Sequence, residues 1–191
     1  MSSMETKSKK KTVKKWQKIL IVIGAVLVVL VMACGIYLSD FYRADMEKIQ
    51  NFTCENKVEM KTDKNGYLVF EPEQIEKGFI FYPGGKVEYT AYIPLMKALA
   101  SEGIFGILVE MPFNLAVFDV DAAKGLQETY SEIKEWYIGG HSLGGSMAAS
   151  YVAENSNDFE ALILLGSYSA TDISELDIHV LSIYGSEDGV L

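Results

Sequence analysis

The sequence predicts an α/β fold: a mostly parallel sheet with helices on both faces, preceded by one N-terminal transmembrane helix. Three observations carry this. From Gly78 onward, short apolar segments alternate with segments of helical spacing, the pattern of strands buried on both faces. A Gly-x-Ser-x-Gly sequence stands between one such strand and the helix behind it. Ahead of both, Ile19 to Leu38 is a run of twenty residues without a charge.

With 49% apolar and 23% charged residues the chain is built for a packed core, and two cysteines cannot make a disulfide scaffold. Residues 1–18 hold seven lysines against Glu5, a local charge of +6, so the overall −9 leaves −15 on the remainder. So acidic a body argues against holding nucleic acid through phosphate neutralisation, and no nucleic-acid partner is expected. At about 1.5 Å per residue the uncharged run spans roughly 30 Å, the hydrocarbon thickness of a bilayer. A cleaved signal peptide is one rival, with an apolar core of usually about 7–15 residues. A lipoprotein signal is another, because Val31-Met32-Ala33-Cys34 looks like a lipobox; the apolar run continuing through Ile36, Tyr37 and Leu38 counts against it. The expectation is an uncleaved single-pass anchor. Lysines crowd before it and only Arg43 and Lys48 follow closely, which keeps the N-terminus cytoplasmic and the acidic body outside. Trp16, Tyr37, Phe41 and Tyr42 fall where interfacial aromatics are found. The expected division is a basic cytoplasmic tail at 1–18, the membrane helix at 19–38, a connecting segment at 39–56 and a folded domain at 57–191. Cys54, alone outside the membrane, reads as a bystander thiol.

In the connecting segment, apolar residues at 42, 46, 49 and 52 predict a short helix over Asp40–Phe52. Val58–Lys61 and Tyr67–Phe70 flank the turn signal Asp63-Lys64-Asn65-Gly66 and predict an antiparallel hairpin. Strands are then predicted at Gly78–Tyr82, Ile104–Val109, Trp136–Gly140, Ala161–Leu165 and Val180–Tyr184, and helices at Tyr89–Ser101, Asp121–Glu135 and Leu143–Glu154. In such sheets the ligand site lies beyond the carboxyl ends of the strands, so a site residue must follow a strand.

Gly140-His141-Ser142-Leu143-Gly144 meets that test, with Gly145-Ser146-Met147-Ala148-Ala149 opening the helix behind it. A serine on so sharp a strand-to-helix turn is held in strain with its hydroxyl exposed, and the glycines leave room for neighbouring backbone. Together with Phe81-Tyr82-Pro83-Gly84-Gly85-Lys86-Val87-Glu88 and Ile183-Tyr184-Gly185-Ser186-Glu187-Asp188, this stretch resembles the alpha/beta-hydrolase superfamily, within it the dienelactone-hydrolase-like branch. The resemblance implies that Ser142 is the nucleophile and that the amides of Gly85 and Leu143 form the oxyanion hole, with Lys86 the alternative to Gly85. It implies that Asp188 is the triad acid, Glu187 being a weaker candidate. Read alone, Pro83-Gly84-Gly85 is also an ordinary strand-to-helix turn, and Asp188 a turn residue. Gly84-Gly85-Lys86 lacks the upstream glycine and the following Ser/Thr of a phosphate-binding loop.

A serine hydroxyl needs an adjacent base, and the family places its histidine after the acid. The two histidines here are His141, bonded to Ser142 and read as a packing residue, and His179, which precedes the strand leading to Asp188 and, with 179–184 extended, lies roughly 16 Å away at the opposite edge of the sheet. Neither serves. With 152 residues after Ser39, the chain is expected to be a C-terminally incomplete hydrolase, its last strand an uncovered apolar edge. The expected function is a membrane-anchored serine hydrolase for carboxylic esters or related acyl compounds, the histidine absent from the chain. Its partners are a small acyl substrate and, through the N-terminal helix, the membrane. The loop Met111–Asp119 is expected to line an acyl pocket with Phe113, Leu115 and Phe118, against the alternative that these are core. A catalytically inactive interaction or scaffold domain is the second reading, and acyl transfer between lipids or wall polymers a third. Two separated histidines and one extracytoplasmic cysteine do not assemble a metal-ligand set, and no cofactor is expected.

Overall fold

In the computed structural model of the chain, residues 15–188 are described. The expected basic tail lies outside them except for residues 15–18, as does the end beyond Asp188. The chain divides into two compact units, Met1–Asp40 and Phe41–Leu191.

The described part of the first unit holds one helix, α1 (Lys15–Ser39), with no buried residue. Twenty-five residues at the helical rise make about 37 Å. Among the described residues it is the one helix long and apolar enough to cross a membrane, and a signal sequence has the same character.

The second unit is built on a seven-stranded sheet in the order β1-β2-β4-β3-β5-β6-β7. These strands are β1 (Val58–Thr62), β2 (Leu68–Pro72), β3 (Lys77–Tyr82), β4 (Ile104–Leu108), β5 (Trp136–His141), β6 (Ala161–Leu165) and β7 (His179–Ile183). β1 and β2 form the expected hairpin, and β2 lies antiparallel to β4. The remaining pairs are parallel. At the hairpin turn the Asp63 carboxylate accepts the N–H groups of Asn65 (2.8 Å) and Tyr67 (2.9 Å), while Gly66 takes φ 89°.

Side chains two apart on a strand share a face, and the core divides accordingly. Phe79 and Phe81 of β3 pack with Phe70, Leu108 and the inner side of α3 (Ile93–Ser101), namely Ile93, Met96 and Ala100. Ile80 and Tyr82 pack on the opposite face with Ile107, Ile138, Leu162 and with Ala148, Ala149 and Val152 of α5 (Leu143–Asn155). Helices thus cover both faces. Met96 is wholly buried, and burial of such a side chain contributes about 1.5–3 kcal/mol.

Three predicted helices are shorter than the sequence pattern suggests. Only Met46–Asn51 of the connecting segment is helical (α2), capped by the Asp45 side chain on Lys48 N–H. The residues before it are extended, because Tyr42 donates to Lys86 O (2.8 Å) and accepts from Glu88 N–H (2.9 Å), making a parallel bridge to Val87. The helix expected over Asp121–Glu135 is reduced to one turn, α4 (Leu126–Thr129). Gly125 enters it with φ 78°, and buried Tyr82 competes for the backbone: its hydroxyl accepts from Ala123 N–H (2.9 Å) and donates to Val120 O (2.8 Å). The helix expected from Tyr89 begins as a 3-10 turn, Tyr89–Tyr92, before α3. At the sheet edge all five residues of β7 are exposed.

Candidate functional site

The parallel strands deliver their loops to one edge of the sheet, and the residues singled out in the sequence lie in those loops. β5 ends in His141, and Ser142 turns the chain into α5 with φ 50° and ψ −124°, a conformation that costs a non-glycine residue about 1–3 kcal/mol. Three hydrogen bonds hold it there. Ser142 N–H donates to Leu165 O (3.0 Å), and Ser142 O accepts from Ser146 N–H (3.2 Å) and from the buried Ser167 hydroxyl (2.7 Å). The Ser142 side chain is exposed and does not cap the helix. The glycines around it are there for space: a Cβ on Gly144 would collide with the carbonyl oxygens of Tyr82 and Pro83, and one on Gly145 with the Ser167 side chain.

The loop after β3 comes alongside. A Cβ on Gly85 would lie 2.9 Å from Leu143 Cδ2, so the two glycine-loop and helix-start amides stand in neighbouring segments. Around Gly85 the other amides are engaged. Gly84 N–H donates to the Tyr92 hydroxyl (3.0 Å), and Lys86 N–H to Asn114 O (2.7 Å). That removes Lys86 N–H as an alternative oxyanion donor. The amides of Gly85 and Leu143 make no hydrogen bond among the described residues.

His141 packs its half-buried ring near that of Tyr92 and also makes a polar contact. Its Nδ1 is 2.9 Å from the Tyr92 hydroxyl, which ties it to the Gly84 loop. Its other side faces Gly166, where an added Cβ would sit 3.7 Å from Nε2 and 3.9 Å from Asp188 Oδ2. Burial pushes the imidazole below the usual histidine range, and the Asp188 charge acts in the opposite direction. Asp188 follows β7 in a turn closed by its N–H on Gly185 O (3.0 Å), at the same edge as Ser142. His179 opens β7 at the other edge. The structure therefore brings Ser142, Leu143, Gly85 and Asp188 to one edge, with His141 engaged by Tyr92 and His179 at the other edge.

The loop after β4 corrects one expectation. Leu115 approaches Gly85, its Cδ2 lying 3.6 Å from the position of an added Cβ, but Phe113 and Phe118 stand at the surface. They are 61% and 56% exposed and stack edge to face on each other at 5.7 Å. Lys86, Phe113 and Asn114 all have φ between 55° and 57°, so strain is concentrated where these two loops meet. Tyr92, Ser167 and Asn114 carried no sequence signal. Each acts through a contact between segments distant in the chain.

The family model for alpha/beta hydrolases matches residues 78–191, from the third strand through all the loops just described. The chain belongs to the alpha/beta hydrolase family. Among solved structures, this alpha/beta hydrolase is similar to a bacterial heroin esterase, with a TM-score of 0.51 at 15% identity over 64% of this chain and 48% of that one. TT1662 from Thermus thermophilus matches with a TM-score of 0.49 at 14% identity, covering 58% of this chain and 57% of that one. Dienelactone hydrolase from Anabaena variabilis matches with 0.47 at 16% identity, covering 60% and 65%. The chain thus spans about half the length of the first two structures. No curated protein sequence matches it.

Proposed function

We propose that the chain is a membrane-anchored serine hydrolase that acts on carboxylic esters or related acyl compounds outside the cytoplasm. The observation that carries this is the pairing of an exposed, strained Ser142 with two amides, Gly85 and Leu143, that have no other hydrogen-bond partner among the described residues. Ser142 Oγ attacks the acyl carbon, its proton leaves to a base, and the carbonyl oxygen takes up negative charge. Preorganised N–H donors aimed at that oxygen are worth more than the same donors in water. Asp188 at the same edge is the acid that would orient a histidine and stabilise it when charged. A transmembrane α1 with the N-terminus cytoplasmic follows the placement of the lysines.

The engagement of the His141 ring with the Tyr92 hydroxyl (2.9 Å) favours a second reading, an alpha/beta-hydrolase fold kept as an interaction or scaffold domain. One experiment separates the two. The full chain in detergent is treated with a fluorophosphonate probe and with a short-chain phenyl ester, with and without added imidazole as an external base. The hydrolase reading expects labelling that imidazole accelerates and that Ser142→Ala abolishes. Absence of labelling and turnover under both conditions would establish the scaffold reading.

A further inference from the structure

The aromatic residues on the surface of the Phe41–Leu191 unit are distributed unevenly. Five of them are largely exposed: Tyr42, Phe113, Phe118, Tyr168 and Tyr184. Every one belongs to the edge where Ser142 opens. Phe113 and Phe118 follow β4, Tyr168 follows β6 and Tyr184 follows β7, while Tyr42 is bridged to Val87 in the loop after β3. Three are tied into one continuous rim by backbone hydrogen bonds, Tyr42 N–H to Lys86 O and Lys86 N–H to Asn114 O, with Val117 exposed between the two phenylalanines. Exposed rings gathered on one edge are costly in water and suit the boundary between lipid and water, where amphipathic aromatics accumulate. Glu88, Glu110, Asp119 and Asp121 outnumber Arg43 and Lys86 in these loops, so the attraction is apolar rather than electrostatic. Tyr42, among the first residues of this unit, is held in the same rim by its bridge to Val87.

We propose that this rim rests on the surface of the lipid bilayer, and that the acyl substrate of Ser142 is lipid-borne and enters from that surface. The strained loop at Phe113 and Asn114 holds its two rings outward as a pair that inserts among the headgroups. Leu115, on the inner side of the same loop beside Gly85, faces the acyl chain. The substrate part rests on the hydrolase reading; the surface part does not.

The two parts are tested separately. The full chain, with Cys34→Ser and Cys54→Ser, is reconstituted in phosphatidylcholine vesicles and labelled with an environment-sensitive fluorophore at Phe113→Cys, Val117→Cys or Phe118→Cys. Glu102→Cys, in the turn before β4 at the opposite edge, is the control. Lipids carrying a quencher near the headgroup should quench the three rim positions several-fold more than position 102; equal quenching overturns the proposal. No serine chemistry enters this measurement. In the same vesicles Phe113→Ser/Phe118→Ser should lower the ratio of Ser142 labelling by a long-chain fluorophosphonate to that by a short, water-soluble one several-fold. An unchanged ratio overturns the lipid-borne substrate, whereas absence of labelling by either probe in the parent chain refutes the hydrolase reading and leaves the quenching result to decide the surface.

Discussion

At the scale of single residues, the site depends on groups held where their intrinsic preferences would not put them. Ser142 occupies a backbone conformation disfavoured for any residue with a Cβ, and Leu165 at the end of β6, Ser167 in the loop after it and Ser146 of α5 pin it there. His141 is half-buried as a neutral ring between Tyr92 and the Asp188 loop. Because burial depresses its pKa, the unfolded chain binds this proton more readily than the folded one. The sign follows: the contribution of the neutral ring is fully present above the unfolded value of about 6.5 and is lost as pH falls through the lower folded value. The urea midpoint of the parent chain should therefore drop between about pH 7.5 and about pH 5.5 more than that of His141→Gln, where no such proton binds. Identical slopes would show that another group carries the dependence.

At the scale of elements, the two ends of the sheet are finished differently. The hairpin of β1 and β2 closes one side, with Lys61 and Glu71 paired across it as an exposed ion pair of small energetic value. On the other side β7 is exposed throughout, and a groove of about 400 Å³ runs between it and α3, lined by Leu95, Leu99, Ile163, Leu165, Leu181 and Ile183. An apolar, unpaired edge is a template for association. Leu181→Lys with Ile183→Lys should change stability little, since both side chains are already more than half exposed. It should raise the concentration at which the detergent-solubilised chain associates, read by size-exclusion chromatography. Association unaltered by the two lysines would mean that other surfaces drive it. The elements themselves were legible where the pattern was strong: seven strands and the helices α3 and α5 fall within a few residues of their expected bounds. The segment Asp121–Glu135 was misread because helical spacing of apolar residues does not reveal that Tyr82, forty positions earlier, captures the backbone of Val120 and Ala123.

At the scale of the whole molecule, the chain holds an apolar helix of membrane length and, as a separate compact unit, the alpha/beta-hydrolase domain. The orientation expected from the lysines has a direct check, because Cys54 belongs to the folded unit and is partly exposed while Cys34 lies within α1. A maleimide that does not cross membranes should label Cys54 in intact cells; labelling only after lysis would reverse the topology.

The sequence by itself determined the fold class, the membrane-length helix and the position of Ser142 at a strand-to-helix turn. All three are written in local periodicity and in short motifs, which neighbouring residues along the chain are enough to specify. Tertiary structure alone decided that Gly85 rather than Lys86 keeps an unoccupied amide, that His141 joins Tyr92 and the Asp188 loop, and that Phe113 and Phe118 stand outward. Those outcomes turn on contacts made after segments distant in the chain are brought together, and no local pattern records that competition.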